Sequence, residues 1–130
     1  MSALCIASGT LATQLALSGF TLAWTHSIER VLWEEDWRIE AAQLVLVEGR
    51  VRGSGAGMEP PEGARLVDGV WHYPGALRVD HLTLAHSPYT QGYTLCADGT
   101  CRPLAELLPG LPEIATLTLT PCTTDTARRQ

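Results

Sequence analysis

Between Phe20 and Glu29 the chain alternates, with Phe20, Leu22, Trp24, His26 and Ile28 on one side of an extended backbone and Thr21, Ala23, Thr25, Ser27 and Glu29 on the other. Successive side chains of a strand point to opposite faces, so this period of two predicts a strand with a polar end. The segment Val31–Ile39 repeats the pattern, with Trp33, Glu35, Trp37 and Ile39 on one face and Leu32, Glu34, Asp36 and Arg38 on the other. Upstream, Leu4–Ala7 and Leu11–Leu17 read as a hairpin around Ser8-Gly9-Thr10, with Ser18-Gly19 as the next turn. Downstream, Leu44–Arg52 predicts a strand that runs into the glycine loop Gly53-Ser54-Gly55-Ala56-Gly57. The prolines of Glu59-Pro60-Pro61-Glu62-Gly63 then forbid regular structure, because proline has no N–H to donate. Asp68-Gly69, between Arg65–Val67 and Val70–Tyr73, and Asp98-Gly99, between Tyr93–Cys96 and Cys101, are type I′ hairpin signals. Pro103–Leu108 predicts one or two helical turns, opened by proline and stopped by Pro109-Gly110, before a last strand at Ile114–Thr120.

Many short strands and one minor helix predict an all-β fold, a small antiparallel β-sandwich or barrel with one short helix near the C-terminus. The 130 residues fit a single core. Residues 1–122 form the expected β domain and 123–130 a polar C-terminal tail. No internal repeat is present. A hydrophobic content of 45% with 18% charged residues belongs to a globular chain. The formal net charge is −5 and all nine basic residues are Arg, without the cationic cluster that phosphate neutralisation needs, so nucleic acid drops out as a partner.

The apolar N-terminus lacks a basic leading segment, and Ser8, Gly9, Thr10 and Gln14 interrupt it before the ~20 residues of a membrane span. The expectation is strands, no transmembrane span, and a cytoplasmic chain as it stands, with the periplasm as the alternative. In a reducing cytoplasm Cys5, Cys96, Cys101 and Cys122 are expected as free thiols or small apolar fillers, whereas export would favour at least a Cys96–Cys101 staple across its turn.

Three chemistries compete for the polar cluster. A hydrolytic triad of His26, Ser27 and a Glu is disfavoured, because neighbours on a strand face opposite ways and His26 cannot easily activate Ser27. A metal site would join His26 to Glu34 or Glu35, with His72, His81 or His86, but no HxH, HExxH or CxxC spacing organises the ligands, so whether a metal binds is unknown from the sequence. A binding site draws on Trp24, Trp33 and Trp37 as an apolar wall, with Arg50, Arg52 and the amides of Gly53–Gly57 able to receive a carboxylate. The structural alternative is a core histidine beside Trp24, a solvated Glu34-Glu35-Asp36 hairpin end and an ion-pair network through Arg30, Arg38 or Arg50. The candidate binding residues are therefore Trp24, His26, Ser27, Glu29, Glu34, Glu35, Arg52, Ser54, Gly55 and Gly57, with no catalytic residue and no cofactor assigned.

The run THSIERVLWEEDWRI followed by LVLVEGRVRGSGAGMEPP, with its His-Ser-x-Glu segment, Glu-Glu pair and Gly-Ala-Gly loop ending in Pro, resembles the bacterial domain of unknown function 1850 family over roughly residues 20 to 110. That resemblance implies genes lying beside TRAP transporters of the TAXI type, which import small organic acids, and members exported or tethered by an apolar leader. It implies no established activity. The expected function is an accessory binding protein of such a system, contacting a transporter subunit or a small carboxylate. The alternative is a metal-dependent or acid-base enzyme using His26 and the nearby Glu residues.

Overall fold

The structure is a computed structural model that describes residues 2–25, 31–52, 63–90 and 92–123. Twelve strands are found among them: β1 (Ser2–Ser8), β2 (Leu11–Ala16), β3 (Gly19–Thr25), β4 (Leu32–Glu40), β5 (Gln43–Arg52), β6 (Arg65–Val67), β7 (Val70–Pro74), β8 (Arg78–Val79), β9 (Leu82–His86), β10 (Thr94–Ala97), β11 (Thr100–Pro103) and β12 (Ala115–Thr123). They build two sheets. The smaller runs β2-β1-β12-β9; the larger runs β11-β10-β3-β4-β5-β7-β6, with β8 also paired to β5. Every pairing is antiparallel. Both sheets end in open edges, so neither closes as a barrel.

The apolar core draws on both sheets. Leu4, Ile6, Leu84, Leu117 and Leu119 of the smaller sheet cluster with Phe20, Leu22, Trp37, Ile39, Leu44, Leu46 and Leu95 of the larger. These are the alternate positions that the sequence periodicity places on one face of each strand. The expected helix is a single 3₁₀ turn, Leu104–Leu107, because Pro103 still belongs to β11 and Pro109-Gly110 stops the chain just after it. Its Leu104, Leu107 and Leu108 complete the core.

Several features differ from the sequence expectation. Leu82–His86, not assigned as a strand from the sequence, is one, paired to β12 from Leu82↔Leu119 to His86↔Ala115. The final strand also extends to Thr123, one residue into the expected tail. The cysteines are corrected more sharply: all four are oxidised, as Cys5–Cys122 and Cys96–Cys101. β1 and β12 pair in a register that sets Cys5 opposite Thr120 and Cys122 opposite Ala3, so their thiols meet diagonally. Cys96 and Cys101 face each other directly across the Asp98-Gly99 turn.

A bulge positions everything that follows. Asp36 pairs with Glu48 but Trp37 pairs with Leu46, so Val47 is the extra residue on β5. That insertion switches the parity of β5. Leu44 and Leu46 face inward before it, Gly49 and Val51 face inward after it, and Glu48, Arg50 and Arg52 are turned to the opposite face.

Candidate functional site

β3, β4, β5 and β7 are consecutive neighbours, so their cross-strand rows can be read directly from the register. One row runs Ala23, Glu34, Arg50, His72 and Arg65; the next runs Thr21, Asp36, Glu48 and Pro74. Together they make a charged surface on the outer face. Arg50 is its hub: Nη1 and Nη2 donate to the two oxygens of Asp36 at 2.7 and 2.8 Å, Nη1 also donates to Glu48 at 2.8 Å, and Nε donates to Glu34 at 3.2 Å. Thr21 donates its hydroxyl to Asp36 at 2.7 Å. His72 Nδ1 lies 3.5 Å from Glu48. The fork between planar guanidinium and carboxylate is the strong form of this interaction. Hydrogen bonding by Arg50 holds the Asp36 carboxyl below its ordinary value, and Asp36, with Glu48 and Glu34 behind it, raises Arg50 further still.

The inner face is different in kind. Trp24 pairs with Trp33, Trp33 with Val51, Val51 with Trp71 and Trp71 with Leu66, which makes an apolar row across the larger sheet. The Trp24 and Trp33 rings stack with centroids 6.2 Å apart, and Tyr93 leans on Trp24 at 5.4 Å with a 52° tilt. Trp24, Trp33 and Trp71 are half-buried, whereas Leu66 is exposed. The indole nitrogen of Trp33 is buried and has no hydrogen-bond partner among the described residues.

The adjacent inner row runs Leu22, Glu35, Gly49 and Tyr73. Tyr73 lies across Gly49 so closely that a Cβ there would fall within its ring and hydroxyl. Glycine at this position is what lets the phenol extend toward the strand of Glu35. Glu35 is half-buried and, among the described residues, accepts one hydrogen bond, from Trp37 Nε1 at 3.1 Å. Burial pushes its carboxyl above the ordinary value, and the Trp37 bond offsets this in part. Burial, then the charge of Glu35, pushes the Tyr73 and Tyr93 phenols up as well. No Arg or His pairs with Glu35 among the described residues.

The candidate residues thus divide. Trp24 and Glu35 share the inner face; Glu34 stands on the outer face with Arg50; Arg52 is exposed at the end of β5 on that same outer side. His26, Ser27, Glu29, Ser54, Gly55 and Gly57 lie outside the described residues. Sequence reading did not single out Tyr73 or Tyr93, although both are aromatic residues at strand positions. It placed Arg50 as a possible carboxylate receiver, and the structure instead engages it with three carboxylates of its own sheet. Among the described residues no three His, Cys, Asp or Glu side chains converge as a metal site. No helix among them is long and apolar enough to cross a membrane.

No curated protein and no solved structure matches the chain. A family model does, and its span takes in both faces just described up to the 3₁₀ turn: the domain of unknown function DUF1850 matches residues 20–104, well over half of the chain, which therefore belongs to that family.

Proposed function

We propose that this chain is an accessory binding domain of a bacterial TAXI-type TRAP transport system, and that it docks on a transporter subunit. The observation that carries the binding reading is the inner apolar row, whose Trp33, Trp71 and Leu66 are not sealed as the core below them is. Leu66 and Val67 lie exposed on β6, the edge strand of the larger sheet, at 57% and 41% accessibility. Exposed apolar side chains on an open edge favour pairing with another chain. The transporter assignment rests on the family resemblance.

Of the two partners considered, a subunit fits better than the imported acid. A free carboxylate ligand would need an uncommitted cation, and among the described residues of β5 Arg50 is engaged by three carboxylates while Arg52 faces away from the aromatic row. The two disulfides support placement on the periplasmic side, since such bonds persist in oxidising compartments and are rare in the cytosol.

The test is co-expression of the chain with each subunit of a TAXI-type system from the same genome, followed by size-exclusion chromatography. The expected result is co-elution with one subunit that Leu66→Asp abolishes without lowering the melting temperature. Separate elution from every subunit would overturn the reading. Protease accessibility of the chain in spheroplasts tests its side of the membrane: digestion without lysis is expected.

A further inference from the structure

We infer that the cleft between the β2 edge of the smaller sheet and the β11 edge of the larger binds a small aliphatic monocarboxylate, its tail laid on leucines and its carboxylate held by Arg102. The cleft measures about 200 Å³, and Leu15, Leu17, Leu95 and Leu107 form its apolar part. That is below the ~300–1,000 Å³ of sites for drug-sized ligands, so the occupant is small. Leu95 and Leu107 belong to the buried core, and Leu15 and Leu17 pack against it, so the surface that would take an aliphatic tail is already built. Arg102, Thr100 and Asp98 supply the polar part.

The ladder between β10 and β11 puts the charge there. Arg102 stands opposite Leu95 and Thr100 opposite Ala97. Directly paired residues share a face, and Leu95 is buried in the core, so the guanidinium lies on the core-facing side of an edge strand. Arg102 is exposed and makes no ion pair with Asp98 or any other described carboxylate. Its planar fork can receive a carboxylate through two parallel N–H bonds, and the Thr100 hydroxyl, one same-face step along β11, can donate another. Asp98, at the tip of the hairpin, sets a negative charge at the rim that repels a second carboxylate and so selects a monoanion. An inward charge on an edge strand also guards against pairing with another sheet. That role needs no apolar cleft beneath the charge, and Arg102→Gln separates the two.

The cleft lies at the opposite edge of the larger sheet from β6, and the inference is tested on the purified chain alone, so it and the transporter assignment can each fail without the other. Isothermal titration would be run with butyrate, hexanoate, 1-hexanol, hexylammonium and succinate at fixed pH and ionic strength, with methyl NMR of leucine-labelled protein to locate the contact. Saturable binding of hexanoate is expected, roughly fourfold tighter for each methylene beyond butyrate. Hexanol, hexylammonium and succinate should each bind at least roughly tenfold more weakly, and Arg102→Gln should weaken hexanoate by a similar factor. Arg102→Lys, which keeps the charge without the fork, should fall between Gln and the parent. Because Arg102 is exposed, its substitution should leave the melting temperature unchanged, so a loss of binding reads the contact and not the fold. Hexanol or succinate binding as tightly as hexanoate, unchanged affinity in Arg102→Gln, methyl shifts away from Leu15, Leu17, Leu95 and Leu107, or no binding at all would each overturn the inference.

Discussion

Arg50 and Asp36 meet across β4 and β5 as a two-bond fork, with Nη1 to Oδ2 at 2.7 Å and Nη2 to Oδ1 at 2.8 Å, although they are not register partners. The guanidinium reaches diagonally from the Glu34 row to the Asp36 row and is shared with Glu48. Its side chain is only 20% exposed, which makes this network more than a solvated surface pair. Arg50→Met would leave three carboxylates facing one another without their counter-ion. The expected loss is about 1–3 kcal/mol of unfolding free energy by urea titration, between the surface and buried limits for a broken pair.

The same fork fixes an acid response. Asp36 is held below its ordinary value of 3.8 by hydrogen bonding to Arg50, so the folded state favours its ionised form. The stability it contributes is present above the unfolded pKa and is lost as pH falls through the lower, folded value. In Asp36→Asn that component disappears. The variant should be less stable than the parent at neutral pH, and the gap in melting temperature should narrow on acidification below about pH 4. A gap that stays constant with pH would show that Asp36 acts through shape alone.

Glu35 carries the opposite sign. Its folded pKa is raised above 4.5 by burial, so the fold favours the protonated acid. The contribution is fully present below the unfolded value and is lost as pH rises through the folded one. Among the described residues, Tyr73 and Tyr93 are the titratable groups that feel its charge, and Trp37 donates a hydrogen bond to it. Glu35→Gln, which stays neutral and can still accept from Trp37, should therefore melt higher than the parent at pH 7 and equal to it near pH 4. A stabilised Glu35→Gln would show that the carboxylate is not kept for folding.

Much of the larger sheet was legible because β3 and β4 alternate cleanly over Phe20–Thr25 and Trp33–Ile39, and because Asp68-Gly69 and Asp98-Gly99 announce their hairpins. Both aspartates adopt positive φ, 51° and 52°, as type I′ turns require. The bulge at Val47 was hidden, since an apolar run from Leu44 to Val47 gives no hint of which residue is extra. That single insertion decides that Arg50 faces Asp36 and Glu48 rather than the aromatic row. β9 was missed because Leu82–His86 is short and only Leu82 and Leu84 carry its apolar alternation, although Ser87-Pro88 marks its end. The site was only half legible: Trp24, Trp33 and Glu35 follow from period two, whereas Tyr93 joins them through β10 pairing with β3, a contact between segments about seventy residues apart. The cysteine pairing of Cys5 with Cys122 is equally non-local, being set by β1 meeting β12.

Gly49 is the position where packing leaves no latitude. A methyl group there would collide with the ring of Tyr73, so Gly49→Ala forces the phenol off the sheet. Overpacking of this kind costs about 1–3 kcal/mol. The check is a double-mutant cycle with Tyr73→Ala: the glycine substitution should be strongly destabilising in the parent and nearly neutral once the ring is gone. Additive effects would mean that Gly49 is required for backbone conformation and not for Tyr73.

The two disulfides should differ in weight because they close loops of very different length. Cys5 and Cys122 are 117 residues apart, Cys96 and Cys101 only 5. A cross-link restricts the unfolded chain more when it encloses more of it, which gives about 5 kcal/mol for the long loop and about 2 for the short one. Cys5 is half-buried on β1, next to the fully buried Leu4 and Ile6, so the long link also clamps the two central strands of the smaller sheet. Peptide mapping without reduction should recover both links in protein made in an oxidising compartment. Cys5→Ser with Cys122→Ser should then lower stability by several kcal/mol. Cys96→Ser with Cys101→Ser should act less, because the Asp98-Gly99 turn and the ladder from Thr94 to Ala97 already hold that hairpin. If the short link proved the stronger, the β10–β11 hairpin would have to be largely unformed without it, and amide exchange at Leu95 would reveal that directly.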